Sequence, residues 1–113
     1  MAENPLMIKS KALCVEVRQI CRMLRATTCD HGMVNLLFRS GSGIAANVKA
    51  ALSARSKKEF ENKMRLALED TEDTQRWISG LMMTERIQDA VGKSLLKDCA
   101  EIKALALQAI EQA

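Results

Sequence analysis

The sequence contains only one proline and five glycines in 113 residues, and its apolar residues recur every three or four positions. Proline and glycine end helices and form turns, so their scarcity favours long helices with short connections. Strands would need more turn residues and more β-branched and aromatic side chains, and only 3% of the residues are aromatic. The pattern therefore predicts an all-α protein without a strand.

The apolar periodicity divides the chain into four amphipathic segments. They cover about residues 6–26, 31–52, 57–82 and 85–111. The length fits a single domain over residues 1–113, and short connections favour antiparallel neighbours. The sequence thus predicts an antiparallel up-down-up-down four-helix bundle.

Residues that cap helices mark where three of the segments begin. Ser56 and Glu59 have the spacing of a capping box, in which each side chain accepts a hydrogen bond from the other residue's amide. Asp30 and Thr84 have side chains that accept from the first turn of a helix. We therefore expect Asp30 to cap the second helix, Ser56 the third and Thr84 the fourth.

The second and third helices carry residues that need tertiary partners. Gly41 and Gly43 each cost about 1 kcal/mol relative to alanine inside a helix, so packing must hold the second helix. Their small size lets another helix approach closely. Thr71 and Thr74 fall on the apolar stripe of the third helix, where each hydroxyl needs a carbonyl of its own helix or a polar group on a facing one.

The chain shows no sign of export or of membrane insertion. No basic segment followed by an apolar core opens the sequence, and no apolar run approaches the roughly 18 residues of a membrane span. We expect a cytoplasmic protein whose cysteines are reduced thiols, since cytosolic disulfides are rare. These cysteines are Cys14, Cys21, Cys29 and Cys99. Cys14 and Cys21 lie seven residues apart on one helix and are expected to be small core residues.

Residues that often carry catalysis or bind metals are few. Cys29, Asp30 and His31 are adjacent, which makes chelation of one ion by all three unfavourable, and no C-x-x-C or H-E-x-x-H motif occurs. A nucleophilic pair of Cys29 or Cys99 with His31 lacks an orienting third group. The glycines of the second helix lack the lysine and the preceding strand of a P-loop. We predict no enzyme, no metal site and no cofactor.

Charge is distributed unevenly along the chain. Residues 1–58 contain ten Lys or Arg and three Asp or Glu, a net charge of +7, whereas residues 59–113 contain seven and eleven, a net charge of −4. A basic stripe on the first helix, opposite the predicted core face, comprises Lys11, Arg18, Arg22 and Arg25. An acidic block, Glu69–Asp73, lies on the third helix.

The basic stripe has two interpretations. Its side chains either solvate the first helix and cover its apolar flank, or pair with the acidic block of the same or a neighbouring subunit. Alternatively they bind nucleic-acid phosphates and displace condensed counterions. Because Phe38, Phe60 and Trp77 are the only aromatic residues, base stacking of the single-strand-binding kind is not expected. Contact with RNA or DNA would then be to the backbone and nonspecific in sequence.

Residues 39–77 resemble a known family. Ile44, Ala46 and Asn47 are followed by R-S-K-K-E-F at Arg55–Phe60 and R-L-A-L at Arg65–Leu68. This resembles the signature S-I-P-A-N-I-A-E-G, R-x-S-x-x-E-F and R-I-A-L of the four-helix bundle proteins encoded in intervening sequences of bacterial 23S ribosomal RNA genes. The similarity is clear over the second and third helices.

Some departures from this signature affect the second helix. The chain has Ala45 where the family usually has proline, and Ala50 and Ala51 where the family usually has glutamate and glycine. We expect these changes to straighten the second helix and extend it to about Ser53. Loss of the glutamate makes the surface more basic, as in the accessory variability proteins of diversity-generating retroelements, to which the chain is distantly similar.

The resemblance implies a non-enzymatic bundle that assembles into a ring, typically a homopentamer, and acts as a structural or adaptor protein. Asn47, which the family shares, is interpreted with Arg39, Arg65 and Asp73 as a polar interhelix contact that fixes the packing register. An alternative function is a protein-binding module that docks a partner such as a reverse transcriptase without contacting nucleic acid.

Overall fold

The computed structural model describes residues 4–27 and 31–113, which fold into four helices and no strand. They are α1 (Pro5–Thr27), α2 (His31–Leu52), α3 (Lys57–Met83) and α4 (Asp89–Gln112). Each helix packs against its two neighbours in the order α1, α2, α3, α4 and back to α1, giving a bundle of 44 × 24 × 23 Å. The predicted all-α four-helix bundle is confirmed.

The core is formed by one apolar face of each helix. The largest buried apolar side chains, all less than 2% exposed, are Leu13, Val17, Leu24, Val34, Leu37, Ile44, Val48, Met64, Ile78, Leu81 and Ile102. Their spacing of three and four residues matches the predicted stripes. On α4, Val91 is 39% exposed, while its neighbour Gly92 is buried. Gly92 allows close approach because a Cβ there would collide with Met82 of α3.

The start of α3 follows the capping prediction in part. The Ser56 hydroxyl accepts a hydrogen bond from the Glu59 amide at 3.1 Å, and α3 begins at the next residue. The Glu59 carboxylate accepts from the Arg55 amide at 3.3 Å instead of from the Ser56 amide. Asp30, the predicted cap of α2, lies outside the described residues.

The predicted start of α4 is wrong. Thr84 was expected to cap α4, but it ends α3, and its amide donates to the Gly80 carbonyl. The amides of Glu85 and Arg86 donate to carbonyls of the last turn, which completes a Schellman motif. Glu85 occupies the left-handed position of this motif, with φ of 57°. Because glycine usually marks that position, the sequence lacked the expected stop signal, and α4 begins only at Asp89.

Both threonines in the α3 stripe have the partners expected of them. The Thr71 hydroxyl donates to the Ala67 carbonyl at 2.7 Å. Thr74 Oγ1 lies 2.7 Å from the Asp70 carbonyl and 2.9 Å from the Ser40 hydroxyl of α2. The second contact crosses the α2–α3 interface, so a buried polar pair joins these helices.

Glycines allow α2 to approach both of its neighbours closely. Gly41 faces α1, and a Cβ at this position would lie 2.8 Å from Val17 Cγ1. Gly43 faces α3, and the carboxylate of Asp70 occupies the space that a Cβ would need. The short distances between α2 and its neighbours therefore depend on missing side chains, as the sequence indicated.

Candidate nucleic-acid interface

The arginines of the basic stripe form a cluster beside α2. Arg18, Arg22 and Arg25 follow one another at intervals of four and three, which places them on one side of α1, and all three are exposed. The guanidinium carbons of Arg18 and Arg25 lie over the Phe38 ring, 5.6 and 5.2 Å from its centroid. Arg25 also donates to the Asn35 side-chain oxygen at 3.0 Å. We call these three residues the arginine cluster.

Phe38 supports the arginine cluster without burying its charges. An exposed cation–π contact is worth about 0.5–1 kcal/mol, enough to bias the orientation of each side chain. The three arginines and Phe38 line a shallow depression of about 340 Å³ that opens to solvent. Guanidinium groups held in this way present several N–H donors outward and match the geometry of phosphate oxygens.

Carboxylates are nearly absent from the side of the bundle formed by α1 and α2. Helix α2 contains no Asp or Glu, and α1 contains only Glu16. Glu16 faces α4, where burial and the nearby Asp98 carboxyl raise its pKa. Among the described residues, no carboxylate forms an ion pair with the arginine cluster. Within residues 5–27 and 31–52, basic side chains therefore outnumber carboxylates, and the charge of the arginine cluster is not neutralised by a described ion pair.

The acidic block of α3 lies away from the arginine cluster. Helices α1 and α3 occupy diagonal corners and do not contact each other. Asp73 pairs with Arg76 at 2.9 Å, and Glu72 with Lys103 of α4 at 3.5 Å. Pairing between the stripe and the block within one chain is therefore not possible in this fold.

Asn47 makes an interhelix contact, and its partner is Asp70. The Asn47 side-chain amide donates to the Asp70 carboxylate at 3.0 Å across the α2–α3 interface. Burial raises the pKa of Asp70, and the hydrogen bond from Asn47 and the charge of Arg39 oppose that rise. The contact closes over Gly43, four residues before Asn47 on the same face of α2.

The predicted polar network is thus smaller than the one inferred from sequence. Arg39 acts on Asp70 through its charge, whereas Arg65 is exposed and Asp73 is engaged by Arg76. Sequence reasoning missed Asp70 because it treated that residue only as part of the acidic block. A usable signal was the pair Gly43 and Asn47, which leaves room on α2 for a short acidic side chain of α3.

Cys21 and Cys99 lack the environment of nucleophiles. Cys21 and Cys99 are buried, and Cys21 donates its thiol hydrogen to the Val34 carbonyl at 3.6 Å. Burial raises the pKa of Cys21, and it raises the pKa of Cys99 to about 12, so both thiols stay protonated. Cys14 is half-buried, and Cys29 lies outside the described residues.

The described part of the chain has neither a metal-binding cluster nor a membrane-spanning helix. Within residues 4–27 and 31–113, no three His, Cys, Asp or Glu side chains are arranged to hold a metal ion. No helix in those ranges is long and apolar enough to cross a membrane.

Comparison with known proteins identifies the family. A family model described as 23S rRNA-intervening sequence protein matches residues 3–108. The chain belongs to this family. A crystal structure from Bacteroides thetaiotaomicron VPI-5482, described as a protein with unknown function from the S23 ribosomal protein family, is similar to this member, with a TM-score of 0.90 and 30% identity. The similarity covers 93% of this chain and 97% of that chain. No curated protein matches the chain.

These comparisons confirm the resemblance to the 23S rRNA-intervening sequence proteins that the motif indicated. Neither description names an enzymatic activity, a ligand or a binding partner. The distant similarity to retroelement accessory proteins and the pentameric assembly stay predictions.

Proposed function

We propose that this member of the 23S rRNA-intervening sequence protein family is a non-enzymatic structural or adaptor protein that binds RNA or DNA phosphates without reading sequence. The arginine cluster would make the contacts. The observation that carries the proposal is the surroundings of the arginine cluster. Its three exposed guanidinium groups lie beside Phe38. The one described carboxylate of α1 and α2, that of Glu16, faces α4 instead. A cytoplasmic location forms part of the proposal.

The backbone beneath the arginine cluster favours such binding. Gly41 brings α2 close to Val17 of α1, and the buried core residues of both helices fix their relative position. Less conformational freedom is then lost when the guanidinium groups bind a polyanion. Arginine contacts to phosphate carry no sequence information, so affinity should depend on charge density and salt.

The test is a salt titration followed by fluorescence anisotropy. Labelled duplex DNA and structured RNA are titrated with wild-type protein and with the variant R18E/R22E/R25E between about 50 and 200 mM salt. Each phosphate contact on duplex DNA contributes about −0.9 to the slope of log K against log salt, so the three arginines should account for about −2.7 of it. We expect the variant to lose measurable binding.

A matched charge control separates the cluster from net charge. The variant R65E/K93E/K97E reverses three exposed cations on α3 and α4 and so changes the net charge by the same amount. It should keep most of the affinity. Equal loss in both variants, with both folded by circular dichroism, would contradict a defined site. Absence of wild-type binding at the lowest salt would reject nucleic-acid binding and favour a protein-binding module, such as one that docks a reverse transcriptase.

We also propose that the chain assembles into a homo-oligomer, for which the family resemblance suggests a pentamer. The supporting observation is that large apolar side chains outside the basic stripe remain exposed: Leu36 of α2, Leu66 of α3 and Leu107 of α4 are 41%, 42% and 44% exposed. Covering such side chains with another chain removes apolar surface from water. Sedimentation equilibrium should give a mass that is a multiple of the 12.5 kDa subunit. A monomer at all concentrations would reject assembly.

A further inference from the structure

We infer that the phosphate-binding surface has a second part, formed by Lys11 and Lys49, and that the two parts together fit a double-stranded nucleic acid. We call Lys11 and Lys49 the lysine pair. The inference rests on the proposed function, because it extends the surface that the arginine cluster begins.

Helix periodicity places both lysines on the same side of the bundle as the arginine cluster. Lys11 precedes Arg18 by seven residues, which is two turns of α1. Lys49 follows Phe38 by eleven residues, which is three turns of α2. Lys11 and Lys49 are both exposed. Each helix thus contributes one lysine to the side that bears Arg18 and Phe38.

The antiparallel packing of α1 and α2 brings the two lysines to the same level along the bundle. Gly41 of α2 faces Val17 of α1. Lys49 lies eight residues beyond Gly41, and Lys11 lies six residues before Val17, so both are displaced toward the same end of the bundle. The lysine pair therefore forms a second positive region across the α1–α2 interface.

The distance between the two regions fits a duplex. Seven residues of helix separate Lys11 from Arg18, a rise of about 10 Å. The two phosphate rows of a duplex border a groove, and the major groove of B-form DNA is about 12 Å wide. One row can contact the arginine cluster while the other contacts the lysine pair. A single strand has only one row of phosphates and gains less from this separation.

The surface between the two regions does not obstruct such a contact. Along the α1–α2 interface it is formed by Cys14, Ser42 and Ala45, which are small and half-buried. Because these three side chains are short, none of them projects between the lysine pair and the arginine cluster. Phosphate rows on both sides can then approach without displacing protein atoms.

Aromatic residues do not supply the platform that single strands use. The ring of Phe38 is covered by two guanidinium groups, and Phe60 and Trp77 are packed against the core. These are all the aromatic residues of the chain. Stacking on aromatic rings is worth about 1–3 kcal/mol per base to single-strand binders. A surface of this kind should therefore prefer a duplex.

The experiment compares three labelled probes in the same anisotropy assay. They are a DNA duplex and an RNA duplex of about 20 base pairs and a single-stranded oligothymidine of the same length. At about 3.4 Å per base pair the DNA duplex is longer than the 44 Å bundle. We expect at least one duplex to bind about tenfold more tightly than the single strand, a difference of about 1.4 kcal/mol.

Two variants test the lysine pair itself. K11Q/K49Q should weaken duplex binding and reduce the magnitude of the salt slope on duplex DNA by about 1.8, the value for two lost phosphate contacts. K93Q/K97Q removes the same charge from the exposed outer side of α4 and should leave the slope unchanged. Thermal melts check that both variants are folded.

The outcomes separate this inference from the proposed function. Equal or tighter binding of the single strand would overturn the duplex preference while leaving phosphate binding by the arginine cluster intact. An unchanged salt slope for K11Q/K49Q would overturn the role of the lysine pair. Absence of binding to all three probes would reject the proposed function, and the inference would fail with it.

Discussion

Helix α1 packs against α2 on one side and α4 on the other, and the two interfaces differ in kind. Toward α2, Gly41 removes a side chain so that the backbone approaches Val17, and the Cys21 thiol bonds to a carbonyl of α2. Toward α4, the carboxyl groups of Glu16 and Asp98 face each other beside a depression of about 160 Å³. Helices α1 and α4 also pack less closely.

The difference shows where the molecule fixes its helices. The α1–α2 interface is close and mainly apolar, and the arginine cluster lies directly beside it with Phe38. The α1–α4 interface holds exposed charges that include the pair of Lys9 and Glu101 at 2.6 Å, and such solvent-screened surface pairs contribute little to stability. The candidate binding surface thus lies on the α1–α2 interface, where close packing fixes the relative position of the two helices more tightly than at the α1–α4 interface.

The largest expected effect comes from filling the close approach in the α1–α2 interface. G41A places a methyl group against Val17, whose Cβ and two methyl carbons all lie within 3.2 Å of the new Cβ position. Overpacking costs about 1–3 kcal/mol, and better helix propensity returns about 1 kcal/mol. We expect a net loss of up to about 2 kcal/mol in the free energy of unfolding, measured by urea denaturation.

Gly80 provides the matched control for that substitution. A Cβ at Gly80 of α3 would make an ordinary contact at 3.8 Å with the Met33 side chain. G80A should therefore gain up to about 1 kcal/mol from helix propensity alone. Equal responses of G41A and G80A would show that the α1–α2 interface is not specially close.

A double-mutant cycle should detect the coupling directly. V17A leaves a cavity, and the methyl group of G41A can occupy part of that space in the double variant V17A/G41A. The loss in the double variant should fall short of the sum of the single losses by about 1 kcal/mol, within the range for residues in contact. Additive losses would mean that the two residues do not compete for space.

A smaller and stabilising effect is expected outside both interfaces of α1. E85G places glycine at the left-handed position of the Schellman motif between α3 and α4, where Glu85 has φ of 57°. Relief of the side-chain clash should add about 1 kcal/mol to the free energy of unfolding. E85A keeps the clash and should give no such gain. Nucleic-acid binding should be unchanged in E85G, because α1 and α2 are not altered.

The smallest effect concerns the α1–α4 interface and depends on pH. Burial and Asp98 raise the pKa of Glu16 above 4.5, so its carboxyl binds a proton more strongly in the folded state than in the unfolded state. The stability that proton binding to the Glu16 carboxyl contributes is then complete below pH 4.5 and is lost as the pH rises through the raised pKa. E16Q should be more stable than wild type at pH 7, by less than about 0.5 kcal/mol because the site is exposed.

The pH dependence of that difference is the useful measurement. Thermal melts of E16Q and wild type should converge as the pH falls below about 4, where Glu16 is protonated in both states. The neutral substitution Q19A, on the same helix, should show a difference from wild type that does not vary with pH. A difference in melting temperature between E16Q and wild type that increased at low pH would contradict the raised pKa of Glu16.

Local sequence determined most of the fold. Apolar residues spaced by three and four fixed the number of helices, and the bounds of α1, α2 and α3 lie within a residue or two of those predicted. Ser56 and its hydrogen bond to the Glu59 amide set the start of α3. These features depend on residues within one or two turns of each other, so they can be recognised along the chain. The start of α4 was missed because Glu85 replaces the usual glycine.

The tertiary structure decided which side chains meet. The sequence placed Lys11 and the three arginines on one face of α1, but only the packing of α2 put Phe38 and Asn35 beside Arg18 and Arg25. It likewise selected Asp70 for Asn47 and placed the acidic block diagonally from α1. Periodicity gives the direction of a side chain around its own helix, whereas contacts between helices depend on their distance, order and axial register, which the packed glycines and core residues set together.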